Sequence, residues 1–390
     1  MSESDAVDAS KVESEVASQT ELKETTNVTP EEATKLRFRW SDLPAVSGEV
    51  AGTGGSIRHL PEDFVVTERP LYLPDGNGSH AYALVEKRGL TTRDLVSALQ
   101  GAGLQEKQIG VAGLKDKHAL TQQWLSVPNA YTAALDALDE VEGVRVLERS
   151  RHKNKLGVGH LLGNHFRVRV RGTLETDVPD ALERAQRALE LLQARGVPNY
   201  FGPQRFGRYG NNAVDGLKLV RGEWVPGGHR LKRFFISALQ SHLFNYALKM
   251  RIERGLYGRV VVGDWAKKHD TGGVFRVEDA EVENERAARL EISATQPLYG
   301  KKVRVSEGEA GALEEEVLAH FGLRWVDFRS RKGSRRITRV LLSEARVEPT
   351  EDGYWLSFFL PKGSFATNVL REVMKVEVDE PVESNRDENE

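Results

Sequence analysis

Residues 109–127 read IGVAGLKDKHALTQQWLSV, and they hold the chain's best candidate for covalent chemistry. An apolar run of Ile109, Val111 and Ala112 stops at Gly113. One carboxylate, Asp116, follows between two ammonium groups, Lys115 and Lys117, ahead of a second alternation through Trp124, Leu125 and Val127. Glycine lets the backbone turn where a side chain would clash, so a strand ending here can present the next residues at a cleft. Flanking cations favour the charged form of a carboxylate, and a carboxylate nucleophile must be ionised. A solvated surface turn has the same residue types, and they alone do not separate the two readings.

Other stretches could supply partners. In SIRHLPEDFVVTERP, residues 56–70, Arg58 precedes a β-branched strand signal at Phe64, Val65, Val66 and Thr67. Residues 80–86 read as a strand, and Thr91 with Asp94 forms the capping box of a helix over about 92–101. A basic run, RSRHKNK over 149–155, leads to Gly163-Asn164-His165-Phe166. From there Phe166, Val168 and Val170 alternate with Arg167, Arg169 and Arg171, as expected of a half-buried strand with a cationic face. Helical spacing follows over 179–195. The segment GVPNYFGPQRFGRYG, 196–210, suits a tight loop in which Tyr200, Phe201 and Phe206 pack while Gln204, Arg205 and Arg208 face outward. A long apolar helix is expected over 234–253. Residues 324–339 gather seven Lys or Arg around Trp325 and Phe328, which reads as a phosphate-contacting face.

Composition bounds the class. A chain of 390 residues points to two domains. With no cysteine, disulfides, thiol catalysis and thiolate metal sites are excluded. No apolar run approaches the roughly 20 residues of a membrane helix, and the N-terminus lacks signal-peptide blocks, so a cytoplasmic location is expected. The net charge of −3 hides an asymmetry: residues 1–34 carry −7 and residues 376–390 carry −6, leaving +10 on the body between them. A basic body suits phosphate neutralisation. The tails are too polar to order themselves and are expected to be disordered. No paired-histidine motif, Walker loop or dinucleotide fingerprint occurs, so neither metal nor cofactor is expected.

Taken together, Gly113-Leu114-Lys115-Asp116-Lys117, the Pro61-Glu62-Asp63-Phe64 opening, Asn164-x-Phe166, residues 198–207 and the Ala366-Thr367…Leu370-Arg371-Glu372 ending resemble the TruD family of tRNA pseudouridine synthases, in the family's order. The resemblance implies that Asp116 is the nucleophile, Arg58 its basic partner, and Asn164 and Phe166 the lining of a uridine pocket with Phe166 stacking on the base. Alternation instead puts Phe166 in the core; both hold if it sits at the strand end, on the rim of a cleft. Lys115 and Lys117 become phosphate or supporting groups, and Gln204 and Arg205 RNA contacts.

The implied fold is α+β. A pseudouridine synthase catalytic domain, with a mixed, largely antiparallel sheet and flanking helices, covers 36–195 plus 343–375. It is interrupted by an inserted α/β TRUD domain over 196–342, with a cleft between them and disordered acidic tails at 1–35 and 376–390. The implied activity is isomerisation of uridine to pseudouridine at position thirteen of tRNA, by a monomer without an obligate protein partner. Two alternatives are a catalytically silent RNA-binding or chaperone protein of the same fold and a metal-independent RNA hydrolase with Asp116 as base.

Overall fold

The structure is a computed structural model, describing residues 27–172, 178–329 and 331–378. Its largest sheet is built from β1 (Phe64–Pro70), β2 (His80–Arg88), β3 (Gly110–Val111), β4 (Leu120–Pro128), β5 (Val144–His152) and β6 (Leu161–Arg171). Three short strands, β7 (Val197–Pro198), β8 (Trp265–Lys268) and β9 (Val274–Arg276), are followed by β10 (Ile292–Leu298), β11 (Ser334–Ile337) and β12 (Arg339–Val340). The chain then returns to the large sheet with β13 (Ser343–Thr350) and β14 (Gly353–Pro361). The helices are α1 (Pro30–Leu36), α2 (Thr92–Gly101), α3 (Val178–Arg195), α4 (Asn212–Arg221), α5 (His229–Glu253), α6 (Ala280–Ala288), α7 (Gly308–His320) and α8 (Ala366–Met374).

The large sheet runs β13-β14-β6-β1-β4-β2-β5, with β3 added to β4. All its pairs are antiparallel except β1 with β4, where Val65 lies beside Leu120. That exception positions the site. Two adjacent parallel strands receive their incoming loops at the same end of the sheet, so the loop carrying Arg58 and the loop carrying Asp116 enter side by side. Strand periodicity places Phe64 and Val66 of β1 on the same face as Phe166 and Val168 of β6. Helices α3 and α8 pack on this face through Ala185, Leu189, Leu192, Val369 and Leu370.

A second core forms where α4, α5 and α7 pack against Tyr200, Phe201 and Phe206. The smaller sheet, β11-β10-β8-β9, is antiparallel throughout. Order starts earlier than composition implies. Helix α1 opens with a reciprocal cap between Thr29 and Glu32, and Glu32 accepts two hydrogen bonds from Arg221 at 2.5 and 2.9 Å. Residues 27–35 are therefore docked, which corrects the expected disordered tail over 1–35 for that part; residues 1–26 lie outside the described residues. At the other end Val378 is buried in the first core, while 379–390 lie outside them. Leu36, Phe38, Trp40 and Leu43 also pack into the second core, so packing does not change at residue 36, where the catalytic domain was expected to begin.

Candidate active site

The Asp116 carboxylate opens into a cleft of about 640 Å³, with its side chain 48% exposed. Arg58 Nη2 stands 3.9 Å from Asp116 Oδ2, and its guanidinium lies 4.5 Å from the centre of the Phe64 ring. The Arg58 backbone takes φ +64°, a left-handed conformation that costs a side-chain-bearing residue about 1–3 kcal/mol. Strain at this position aims the guanidinium back over β1, toward the carboxylate.

The floor of the cleft is part of the large sheet. It includes Phe64 and Val66 of β1 and Asn164 and Phe166 of β6. Phe166 is 8% exposed, stacks on Phe358 at 5.5 Å and meets Phe64 edge-on at 6.3 Å. It is both core and lining. Its place is the middle of β6 rather than a strand end, because pairing with β1 and β14 extends the strand back to Leu161. Gly163 allows that extension: a Cβ there would come within 2.1 Å of Leu360 O on β14. Asn164 Oδ1 is buried without a hydrogen-bond donor among the described residues. The opposite wall comes from Gln204, Arg205, Phe234, residues 362–365 and the first residues of α8, and the mouth keeps apolar Leu114, Val158 and Phe365 exposed.

Buried polar groups hold the Asp116 loop from below. Lys115 turns inward, its Nζ 2.5 Å from Glu68 Oε2, and its amide donates to Thr92 Oγ1 at 2.9 Å. Thr92 in turn donates to Gln123 Oε1 at 2.8 Å. Lys87, fully buried on β2, donates through Nζ to Asp116 O at 2.8 Å and to Leu90 O. Its ammonium thus sits under the peptide of the candidate nucleophile. Motif reading missed both Glu68 and Lys87, although period two shows them. Glu68 follows Phe64 and Val66 on one face of β1, and Lys87 follows Ala81, Ala83 and Val85 on β2.

Burial pushes the Lys87 pKa down to about 8, against attraction from Asp116 and Asp94 and with repulsion from Lys115. The charge under the loop is therefore present below about pH 8 and lost above it. We expect wild-type kcat to fall as pH rises through about 8, and Lys87→Met to lack that limb while turning over up to about a hundred-fold more slowly. Unfolding does not explain such a fall. Between about 8 and the ordinary lysine range the unfolded chain binds the extra proton, so this group's contribution to stability rises with pH. A pH–rate profile of both proteins decides it; an identical alkaline limb in Lys87→Met would remove Lys87 from the positioning role.

Several sequence expectations need correcting. Lys115 is not free for phosphate, because its ammonium is buried on Glu68, and Lys117 lies outside the cleft lining. The cation against Asp116 Oδ2 is instead Arg58. The arginine face of β6 is neutralised: Arg167 pairs with Glu348, Arg169 with Asp352, and Arg171 with Asp63. Within the basic stretch 324–339, Phe328 is buried, Arg335 pairs with Glu314 at 2.6 Å, and Arg339 is buried against main-chain carbonyls. The run over 149–155 suits phosphate contact as well as a solvated loop, but its Arg149 pairs with Asp136 and Asp139. Gln204 and Arg205, by contrast, do line the cleft, together with Asp116, Arg58, Asn164 and Phe166.

The profile of the tRNA pseudouridine synthase D (TruD) family matches residues 45–226 and 228–373. The chain belongs to the TruD family. A tRNA pseudouridine synthase D from Thermus thermophilus is 53% identical over 343 residues, covering 88% of this chain and 95% of the relative. One from Anaeromyxobacter is 47% identical over 352 residues, covering 87% and 98%. The crystal structure of a Methanosarcina mazei protein bearing the TruD name superposes with a TM-score of 0.70 at 24% identity, over 90% of this chain and 99% of that one, which establishes the fold. The family's enzymes are isomerases, and the mixed, largely antiparallel sheet with flanking helices is the α+β arrangement expected of TruD proteins. Among the described residues no helix is long and apolar enough to cross a membrane.

Proposed function

We propose that this chain isomerises uridine to pseudouridine in tRNA, at position thirteen, with Asp116 as nucleophile. One observation carries the reading. A carboxylate paired with Arg58 shares a cleft with an aromatic floor at Phe166 and with the donor-less amide oxygen of Asn164. Uracil offers one ring N–H between two carbonyls, which suits that oxygen. A cleft of about 640 Å³ has room for one extruded nucleotide. Taking the base out of the stack costs a few kcal/mol, offset by stacking and hydrogen bonds in the pocket. The exposed Leu114, Val158 and Phe365 at the mouth supply apolar surface for that purpose.

In the reaction Asp116 attacks the nucleotide at C6 of the ring or C1′ of the ribose. The C1′–N1 bond breaks, the uracil turns, and C5 bonds to C1′. Loss of the C5 proton, gain of a proton at N1 and release of Asp116 complete an exchange within one nucleotide. Arg58 orients the carboxylate, Phe166 and Asn164 hold the base, and Gln204 and Arg205 contact RNA on the facing wall. Residues 196–342 act as the inserted TRUD domain, which supplies Gln204, Arg205 and Phe234 to this wall. We take the enzyme to be a cytoplasmic monomer with tRNA as its macromolecular partner. No feature of the cleft favours the silent RNA-binding alternative.

The test is incubation with unmodified tRNA followed by carbodiimide-stop primer extension. A single new stop at position thirteen, in RNA of unchanged length and mass, is the expected result. Strand scission would favour the hydrolase reading instead, and no stop at all would refute the isomerase.

A further inference from the structure

Most arginines in the interior have their charge matched or their donors used. Arg251 pairs with Asp264 at 2.9 Å and Arg335 with Glu314 at 2.6 Å. Arg371 spends its donors on the carbonyls of Trp40, Leu43 and Pro44. Two guanidiniums beside the cleft differ. Among the described residues the Arg205 guanidinium makes one hydrogen bond, to Ser237 Oγ at 3.2 Å, and that of Arg336 bonds only to Asn199, through its carbonyl and its amide oxygen. Among the described residues no carboxylate stands within ion-pair distance of either.

Both guanidiniums lie against one ring. Arg336 is 4.1 Å and Arg205 5.5 Å from the centre of Phe201. Arg336 also stands 5.5 Å from Phe365, and Arg205 5.4 Å from Phe234; both of these phenylalanines line the cleft. The ring is fixed from behind, because Asn245 accepts from Phe201 N and donates to Phe201 O, each at 2.9 Å. Burial lowers the pKa of both guanidiniums, and the Arg205 charge adds to the shift at Arg336. Two like charges held close in a half-buried wall are costly without an anion. A phosphodiester answers that need with one negative charge shared by two non-bridging oxygens, and guanidinium forks match its geometry.

We propose that Arg205 and Arg336 form a seat for one phosphodiester of the bound RNA, flanking the nucleotide that enters the cleft. The seat rests on the RNA reading of the same cleft but not on the chemistry at Asp116. It anchors the backbone next to the extruded nucleotide, so its loss weakens binding without touching the reacting atoms.

The test measures tRNA affinity of the full chain across salt for wild type, Arg336→Met, Arg205→Met and Arg336→Lys. Each Met variant should bind about ten-fold more weakly at moderate salt and lose about one unit of slope in log Kd against log salt. Arg336→Lys should keep the slope. A methylphosphonate scan of the RNA around the target then locates the seat: at one position, neutralising the phosphate weakens wild type but not the Met variants. Additive losses at every position, or weaker binding with an unchanged slope, overturn the seat and leave the arginines as packing for Phe201. Arg205→Met, which gives up a single hydrogen bond, decides the matter if Arg336→Met does not fold. Pseudouridine formation by wild type is read separately. Product without a coupled phosphate sinks the seat alone, and a coupled phosphate without product sinks the isomerase reading alone.

Discussion

Asp116→Asn should abolish pseudouridine formation, by on the order of ten-thousand-fold or more, the scale of loss that follows removal of a nucleophile. The amide matches the carboxylate in size and still fills its place 3.9 Å from Arg58, so the loop need not move. It cannot attack carbon and leave again as a carboxylate does. Binding should survive, or tighten slightly, because one negative charge leaves a cleft that accepts a polyanion. Single-turnover assays on unmodified tRNA, paired with affinity measurements on the same preparation, separate the two effects. Product at a tenth of the wild-type rate would take Asp116 out of the chemistry. Loss of affinity in parallel with product would make it a binding group.

The second large effect lies one residue earlier and concerns stability. Lys115 and Glu68 have side chains 4% and 0% exposed, with Nζ and Oε2 2.5 Å apart. Removing one member of such a pair leaves a buried charge without compensation, at about 3–5 kcal/mol. Lys115→Met should therefore lower the unfolding free energy by that amount and also slow turnover, since Lys115 holds the chain next to Asp116. Replacing both members by apolar residues of similar size should recover most of the stability. Glu68→Gln, which keeps a hydrogen-bond acceptor, should lose less than Lys115→Met. Thermal and urea unfolding of the three variants check the series. A midpoint unchanged in Lys115→Met would mean the pair contributes nothing to holding the loop.

Local signals in the sequence were read correctly where chemistry and geometry are both local. The Thr91–Asp94 box does cap α2, with Asp94 accepting from Thr91 N at 2.6 Å. The residues 196–210 do bury Tyr200, Phe201 and Phe206 while Gln204 and Arg208 face out, but Arg205, also expected outside, is half-buried against Phe201 and Phe234. Asp116 and Arg58 were identified through family resemblance, and their meeting depends on the single parallel pair β1–β4, which no local pattern announces. Charge counting failed where pairing is long-range. Arg335 meets a glutamate on α7, and the β6 arginines meet acids at residues 63, 348 and 352. Lys87 and Glu68 were passed over because single charged residues in strands are usually taken as solvent-facing. Their alignment with buried neighbours two residues apart was the available warning.

The segment 36–57 bears on more than packing. Its first half is buried in the second core and its later residues Val46 and Ile57 in the first, while Ser47 and Val46 are fastened to Glu372 on α8. A ribbon moored on both banks behaves as a caliper, setting the gap between the walls without touching whatever lies inside. On the RNA reading of the cleft, substitutions at Leu36, Trp40 or Val46 would change which RNA shapes fit between the walls while leaving Asp116 and Arg58 in place.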